Sequence, residues 1–502
     1  MNLNPFKWFQ KTELVPLNRF DAASRHQSNT RHWGDADNLG PQASLQRDTR
    51  STVKIRSRHV VKNNPVLNDI VATRVNDLIG TGPRLCISIP GATPEQQEVF
   101  DEASQKIENE WSKWARASRL TNTLKLMKKM EIVDGEGFAV KITNKKIKHP
   151  VKLQLKEFES DLVQDFMSVL RTDPFYQDGI QYDKNWEPEK YYVLKRHPGD
   201  GFVPTISNDY DSFDAEQVYH FYRKDRAQQL RGMSWLAPAL QTIPMADRFT
   251  SATLNAAEIA AKLPMWVETD VQIVANQENE DLYNYDEGAT NSLPLPYGDV
   301  PILPAGSKFN GLRPEHPSTT FDSFSKTIWG MIGRCLNMPL NVSNASSAGY
   351  NFTSGRLDKL PYQSKLESER ENDLGHFLFR LVNDWIEEAF LVGIIPSEGL
   401  PPVEEWDIDW NYDGFEFISP KDETEAAVAR IEGGLSNHAI ECAAIGTRWR
   451  KVFDQKKIEQ DYAKRIGLKL EAPKPAAPPG AKPPNPDNPD DTPPDENTGE
   501  DE

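Results

Sequence analysis

The chain has 502 residues, 38% of them hydrophobic, with 12 Trp, 14 Tyr and 22 Phe; that is enough for two or more domains with cores of their own. A formal net charge of −17 argues against tight, static binding of nucleic acid, which draws its affinity largely from neutralised phosphates. Cys86, Cys335 and Cys442 are far apart and form no C-x-x-C pair, which speaks against zinc and a disulfide framework, and there is no apolar run near the ~18 residues of a membrane span and no signal-peptide pattern.

Residues 1–62 carry 11 Lys/Arg against 5 Asp/Glu and read as a polar, irregular, basic arm. A helix is predicted from Pro65, with Val66, Ile70, Val71, Val75, Leu78 and Ile79 on one stripe and Gly80 and Gly82 stopping it. Residues 94–130 read as two helices, with Trp111 and Trp114 on one core-facing side. Strand-like pieces follow: GFAVKI, YYVLKR and QVYHFY. Asp134-Gly-Glu136-Gly137 reads as a tight turn into the first of them, its acids without a nameable partner.

An Ala-rich helical segment spans 235–263, interrupted by Pro244. Residues 266–316 turn acidic, with 9 Asp/Glu against 2 Lys/Arg. A helix is predicted from Phe321 to about Leu336, then an uncharged stretch of 15 residues, Asn341 to Gly355, then a long helix from about Tyr362 to Val392. WDIDW and FEFI read as strands, and Ser419-Pro420 as a helix start opening two helices up to Gly467. Residues 471–502 hold 10 Pro and 9 Asp/Glu and too little apolar surface for a core, a composition that predicts disorder. The order of elements fits an α+β fold.

Enzyme signatures are few. There is no GxxxxGK[ST], HExxH or GxSxG. Ser323-Phe-Ser-Lys326 has the SxxK spacing but lacks companion motifs. Asp407 and Asp409 share one strand face, which a metal-dependent nuclease or hydrolase would use; a solvated strand face is the plainer reading. His197 precedes Pro198 in a turn, and His220 alternates with apolar neighbours as a packed residue does. No cofactor is implied.

A more specific signal is an ordered series of short motifs from about Phe20 to Leu468. RSRHVVKNNP (56–65), IGTG (79–82), Trp111 and Trp114, VDGEGF (133–138), GIQYD (179–183) and RHPGD (196–200) come first. QLRGMSWLAP (229–238), PEHPSTTFDSFSKTIWGMIGRCLNMP (314–339), GYNFTSGR (349–356) and ISPKDETEAAVARIEGGLSNHAI (418–440) follow. In this order they resemble the lambda-type portal (head–tail connector) family of tailed bacteriophages. Met233-Ser234 stand where Val-Pro is usual, and Gly446-Thr-Arg448 where Gly-x-Asp is usual.

The resemblance implies a portal fold assembled as a ring, a dodecamer in the family, at one capsid vertex. Carried onto this chain it gives a basic N-terminal arm at 1–49 and a wing at 50–234 and 357–418. Stem helices fall at 235–265 and 317–338, with a clip at 266–316 between them. A tunnel loop falls at 339–356, a helical crown at 419–470 and an acidic Pro-rich tail at 471–502. Asn341, Ser343, Asn344, Ser346, Ser347, Asn351 and Arg356 would face the DNA channel. Glu278, Glu280, Asp281, Asp286 and Glu287 of the clip would receive partners.

The implied function is passage of double-stranded DNA during packaging and ejection, with no chemistry by the ring itself. The implied partners are further copies of the chain, the terminase large subunit, a head–tail adaptor or head completion protein, and capsid and scaffold proteins. The implied location is the virion, with assembly in the host cytoplasm. A stem helix of about 25 residues spans roughly 38 Å, over which duplex DNA carries about 22 phosphate charges. A channel that gripped those charges would stall, so the net-zero set Asp247, Arg248, Glu258 and Lys262 and the uncharged 341–355 suit a sleeve.

Overall fold

The computed structural model describes residues 36–165, 173–200, 209–262, 266–269, 307–310, 321–396, 399–415 and 419–468. The fold mixes helix and sheet, and the chain divides into two compact units, one up to Tyr412 and one from Asp413.

After a single helical turn at Pro41–Ser44, the first unit forms helix α1, Arg47–Asn63, where an irregular arm was expected. Polarity misleads here because the residues that α1 buries are Lys54, Ser57 and Val61, and Lys54 is satisfied by Asp161 at 2.9 Å rather than by water. Residues 1–35 lie outside the described residues. Asn64 then ends α1 and caps α2, Pro65–Ile79, its side-chain oxygen accepting from Leu67 N at 2.9 Å. The expected stripe of α2 is buried, except that Val66 is 38% exposed.

Strand β1, Arg84–Ser88, leads to α3, Pro94–Ser118, and α4, Leu120–Asp134. Trp111 and Trp114 lie in the core as expected, each 1% exposed. Trp111 is the hub of an aromatic cluster, with centroids 4.8 Å from Trp114, 5.4 Å from Trp385 and 5.5 Å from Trp410.

Strand β2, Glu136–Thr143, is the centre of an antiparallel three-stranded sheet, flanked by β3, Leu153–Phe158, and β8, Val218–Tyr222. A second antiparallel sheet runs in simple meander order: β4, Tyr176–Gln177; β5, Ile180–Tyr182; β6, Pro188–Leu194; β7, Tyr210–Asp214. Phe138, Val140 and Val218 from the first sheet meet Ile180, Tyr182, Tyr191 and Val193 from the second in one hydrophobic core.

A 3-10 turn at Ala237–Ala239 precedes α5, Thr242–Lys262. Pro244 therefore sits in the first turn of α5, where a missing N–H costs nothing, and does not interrupt it. Strands β9, Trp266–Thr269, and β10, Ser307–Asn310, form an antiparallel ribbon, and α6 is Phe321–Arg334.

The uncharged stretch is not a loop throughout. It holds the single turn α7, Leu340–Ser343, and the start of α8, Phe352–Glu369. Helix α8 begins ahead of the expected Tyr362 because Asn351 and Ser354 form a reciprocal cap. A π-helical turn, Arg370–Leu374, joins α8 to α9, Gly375–Leu391. Strand β11, Asp407–Asn411, pairs antiparallel with β1.

The second unit has three helices where two were expected: α10, Pro420–Glu432, α11, His438–Ala444, and α12, Trp449–Ile466. Among its described residues Ala463 is the one buried apolar side chain, while Leu435 is 83% and Ile458 62% exposed. FEFI extends into residues 416–418, outside the described residues. No helix among the described residues is long and apolar enough to cross a membrane.

Candidate functional site: a helical pair, the uncharged segment and a buried ion cluster

Helices α5 and α6 pack through aromatic rings. Phe249 lies 5.7 Å from Phe321 and 4.6 Å from Phe324. Ile243 and Ala246 of α5 and Trp329 and Ile332 of α6 are buried. Much apolar surface stays open: Met245 is 56%, Leu254 61% and Met331 61% exposed.

The uncharged segment is seated on α6 by two glycines one turn apart. A Cβ at Gly330 would meet Leu340 Cδ1 at 2.2 Å, and one at Gly333 would meet Ser343 Cβ at 2.4 Å. So α7 rests against α6 where α6 has no side chains, which fixes the start of the segment.

The expected channel residues fall into two groups. Asn341 Oδ1 accepts from Val342 N, Asn344 Nδ2 donates to the Lys326 carbonyl at 3.2 Å, and Ser346 Oγ accepts from Ala348 N. Ser343 is 3% exposed and its hydroxyl donates to the Leu340 carbonyl, so its side chain is spent inside the fold. Ser347, Asn351 and Arg356 are exposed, and Asn351 is occupied as the α8 cap, its Oδ1 accepting from Ser354 N at 2.8 Å. The clip residues Glu278, Glu280, Asp281, Asp286 and Glu287 lie outside the described residues.

The first unit also holds a buried ion cluster that the sequence did not disclose. Glu136, at the start of β2, receives Arg231 Nη2 at 2.6 Å, Arg231 Nε at 2.8 Å, Arg50 Nη1 at 3.0 Å and Gly232 N at 3.2 Å. His220 Nε2 stands 3.3 Å away. Arg50 also reaches Asp178 Oδ2 at 2.8 Å, and Arg231 the Asp178 carbonyl at 2.7 Å. Burial disfavours the Glu136 anion, but Arg231, His220 and Arg50 outweigh it and hold the carboxyl well below the usual range. Burial pushes His220 below its ordinary value, with Glu136 opposing.

Two glycines make this approach possible. Gly135 has φ +99° and a Cβ there would lie 2.5 Å from the Met233 carbonyl carbon; a Cβ at Gly232 would lie 2.0 Å from the Gly135 oxygen. Only bare backbone fits on both sides. Asp134 is held by Arg58 through bonds of 2.7 and 2.6 Å. Both acids of the DGE turn thus have arginine partners from α1 or the QLRG segment. The signal available in the sequence was the glycine beside the acids, Gly135, and the one beside Arg231, Gly232.

The enzymatic alternatives gain nothing. Asp407 and Asp409 pair with Ser88 and Cys86 across the β1–β11 ladder, and burial, with Asp407 adding to it, pushes the Asp409 carboxyl up. No third ligand joins them among the described residues; the one convergent set there is Glu159, Asp161 and His197. In that set Arg58 Nη2 already lies 3.1 Å from Glu159 and 2.9 Å from Asp161, so a guanidinium supplies the positive charge. Lys326 of the SxxK spacing pairs with Asp322 at 2.7 Å, one helical turn back.

Residues 26–370 match the family described as phage portal protein, lambda family. The chain is 25% identical over 345 residues to the probable portal protein of Halomonas phage phiHAP-1, covering 66% of this chain and 65% of that one. It is 20% identical over 314 residues to portal protein B of Escherichia phage lambda, covering 58% and 56%. These matches span less than two thirds of the relatives' own length. Among solved structures, a chain described as "Neck of empty GTA particle computed with C6 symmetry" is 12% identical with a TM-score of 0.41, covering 85% of this chain and 95% of that one.

Proposed function

The chain belongs to the lambda family of phage portal proteins, and from that premise we propose that it forms the ring at one capsid vertex through which double-stranded DNA is packaged and ejected. The observation that carries the reading is the family match over residues 26–370, which takes in α5, α6 and the uncharged segment together. In this reading α5 and α6 are the stem helices, residues 266–316 the clip, 339–356 the tunnel segment, and α10–α12 the crown. Residues 50–234 and 357–418 are the wing, preceded by the basic arm at 1–49.

The chemistry of the parts supports it. A helix of 21 residues such as α5 is about 31 Å long, and its charged positions, Asp247, Arg248, Glu258 and Lys262, sum to zero. Beside duplex DNA it offers no net attraction to hold the polyanion in place. The open apolar side chains of α5, α6 and the second unit are what a subunit carries when neighbouring copies will cover them. The ring performs no catalysis in this reading: terminase docks on the clip and drives DNA inward, and a head–tail adaptor takes its place afterwards. Capsid and scaffold proteins surround it, and it would be built in the host cytoplasm before residing in the virion.

Native mass spectrometry with electron microscopy of the purified chain tests this. Closed rings of about twelve copies are expected. A stable monomer at micromolar concentration, or metal-dependent DNA cleavage, would overturn the reading.

A further inference from the structure

The uncharged segment is bracketed by Leu336, just after α6, and by α8. Both places touch one buried side chain. Arg74 of α2 is 0% exposed; its Nε donates to the Leu336 carbonyl at 2.9 Å, and its Nη2 pairs with Glu369 near the end of α8. Its guanidinium also lies 5.9 Å from the Tyr362 ring and 6.0 Å from the Trp235 ring.

Other groups of α2 and α4 add to the anchorage at α8. Tyr362 donates its hydroxyl to Asp77 Oδ2 at 2.8 Å, and Arg370 donates to the carbonyls of Asp77 and Leu78, each at 2.9 Å. Lys128 Nζ approaches Glu369 Oε2 at 3.4 Å and lies 4.4 Å from the Trp235 ring. The first half of α8 is open: Leu357 is 63% and Leu360 49% exposed, and Pro361 has no N–H for the backbone bond one turn back.

We propose that Arg74 is the positioning residue of the tunnel segment: one buried guanidinium ties the end of α6 to the end of α8, and the chain between them turns about Pro361. This rests on the reading of 339–356 as the channel-facing part. A guanidinium suits the task because its fork bonds two acceptors from one plane at once, which an ammonium does not do in fixed geometry. The buried ions beside it keep the linkage from being a plain hydrophobic contact, since losing one partner leaves charge without compensation.

The test is amide hydrogen exchange, read by mass spectrometry, on the full chain as wild type, Arg74→Met, Arg74→Lys and Glu369→Gln. Arg74→Met is expected to speed exchange about tenfold, the worth of one charged hydrogen bond, in peptides spanning both 335–345 and 357–369. Glu369→Gln keeps the Leu336 bond and should loosen only 357–369. Arg74→Lys should fail to restore both ends together. Peptides from β2 and β8 should not change in any of them. A uniform rise across the first unit, or no rise at either end, overturns the proposal. Should Arg74→Met not fold, the one-sided pattern of Glu369→Gln decides. Ring formation is measured separately by native mass, so a failed ring and a failed clamp give different results.

Discussion

Arg231 closes a two-pronged ion pair on Glu136, 95 residues earlier in the chain, with both side chains 2% exposed. The pair joins the segment leading into α5 to the head of β2. It thereby anchors the start of the helical pair in the sheet that organises the first unit.

Glu136→Gln should therefore leave two arginines, Arg231 and Arg50, facing a neutral amide in the interior. Breaking one partner of a buried pair costs about 3–5 kcal/mol, most of it the charge left behind. Urea denaturation should show that loss in the midpoint, with the slope unchanged. A loss below about 1 kcal/mol, the range of exposed pairs, would mean that water reaches the cluster.

Acid should weaken the fold in two windows. Burial keeps the folded pKa of His220 below the unfolded 6.5, so the unfolded chain takes up the proton first and stability falls as pH drops below about 6.5. Glu136 has a folded pKa well below 4.5; its contribution is present above that value and is lost as pH falls further toward the folded pKa. The groups around His220 are Glu136, Arg231, Arg50, Tyr191 and Tyr222. Denaturation midpoints from about pH 8 down to about pH 4 should show His220→Gln flattening the upper window only. An upper window of unchanged slope in that variant refutes the assignment.

Trp385 is 0% exposed and touches both Trp111 and Trp114, so it links α9 to α3. Trp385→Ala is expected to cost about 3–5 kcal/mol by leaving a cavity that three rigid elements cannot fill. Trp385→Phe should recover part of it. Thermal unfolding by circular dichroism gives both values, and an alanine variant as stable as wild type would show that the cluster is not the hub of the core.

The clip prediction concerns charge. Residues 266–316 carry 9 Asp/Glu against 2 Lys/Arg, a net −7 that becomes about −84 around twelve copies. If these residues form the clip of the proposed ring, they should draw a basic surface of terminase or adaptor, with faster association at low salt. Changing Glu278, Glu280 and Asp281 to Gln, Gln and Asn should slow the on-rate and flatten its dependence on ionic strength. Rates indifferent to salt and to these changes would assign docking to shape and apolar contact.

Motif order disclosed the family, and apolar periodicity disclosed α2, the Trp-bearing helices and the principal strands. What stayed hidden had polar groups inside. Helix α1 buries Lys54 and Ser57, so no apolar stripe advertised it. The DGE acids appeared unpartnered because their arginines, Arg58, Arg50 and Arg231, lie between 76 and 95 residues away. The early start of α8 depended on a cap, Asn351 with Ser354, inside a stretch whose lack of charge suggested a loop. Periodicity reports burial of hydrocarbon; it is silent about buried ions and about caps.

The bare positions at Gly330 and Gly333 have a mechanical meaning. Leu340 and Ser343 occupy the space where α6 would otherwise carry side chains. No flexible side chain of α6 stands between that helix and the segment to act as a cushion. Close-packed interiors compress little and pass strain onward. In the proposed tunnel reading, a drag on the segment by passing DNA would be delivered as load to the backbone of α6, a stiff shaft and not a soft spring.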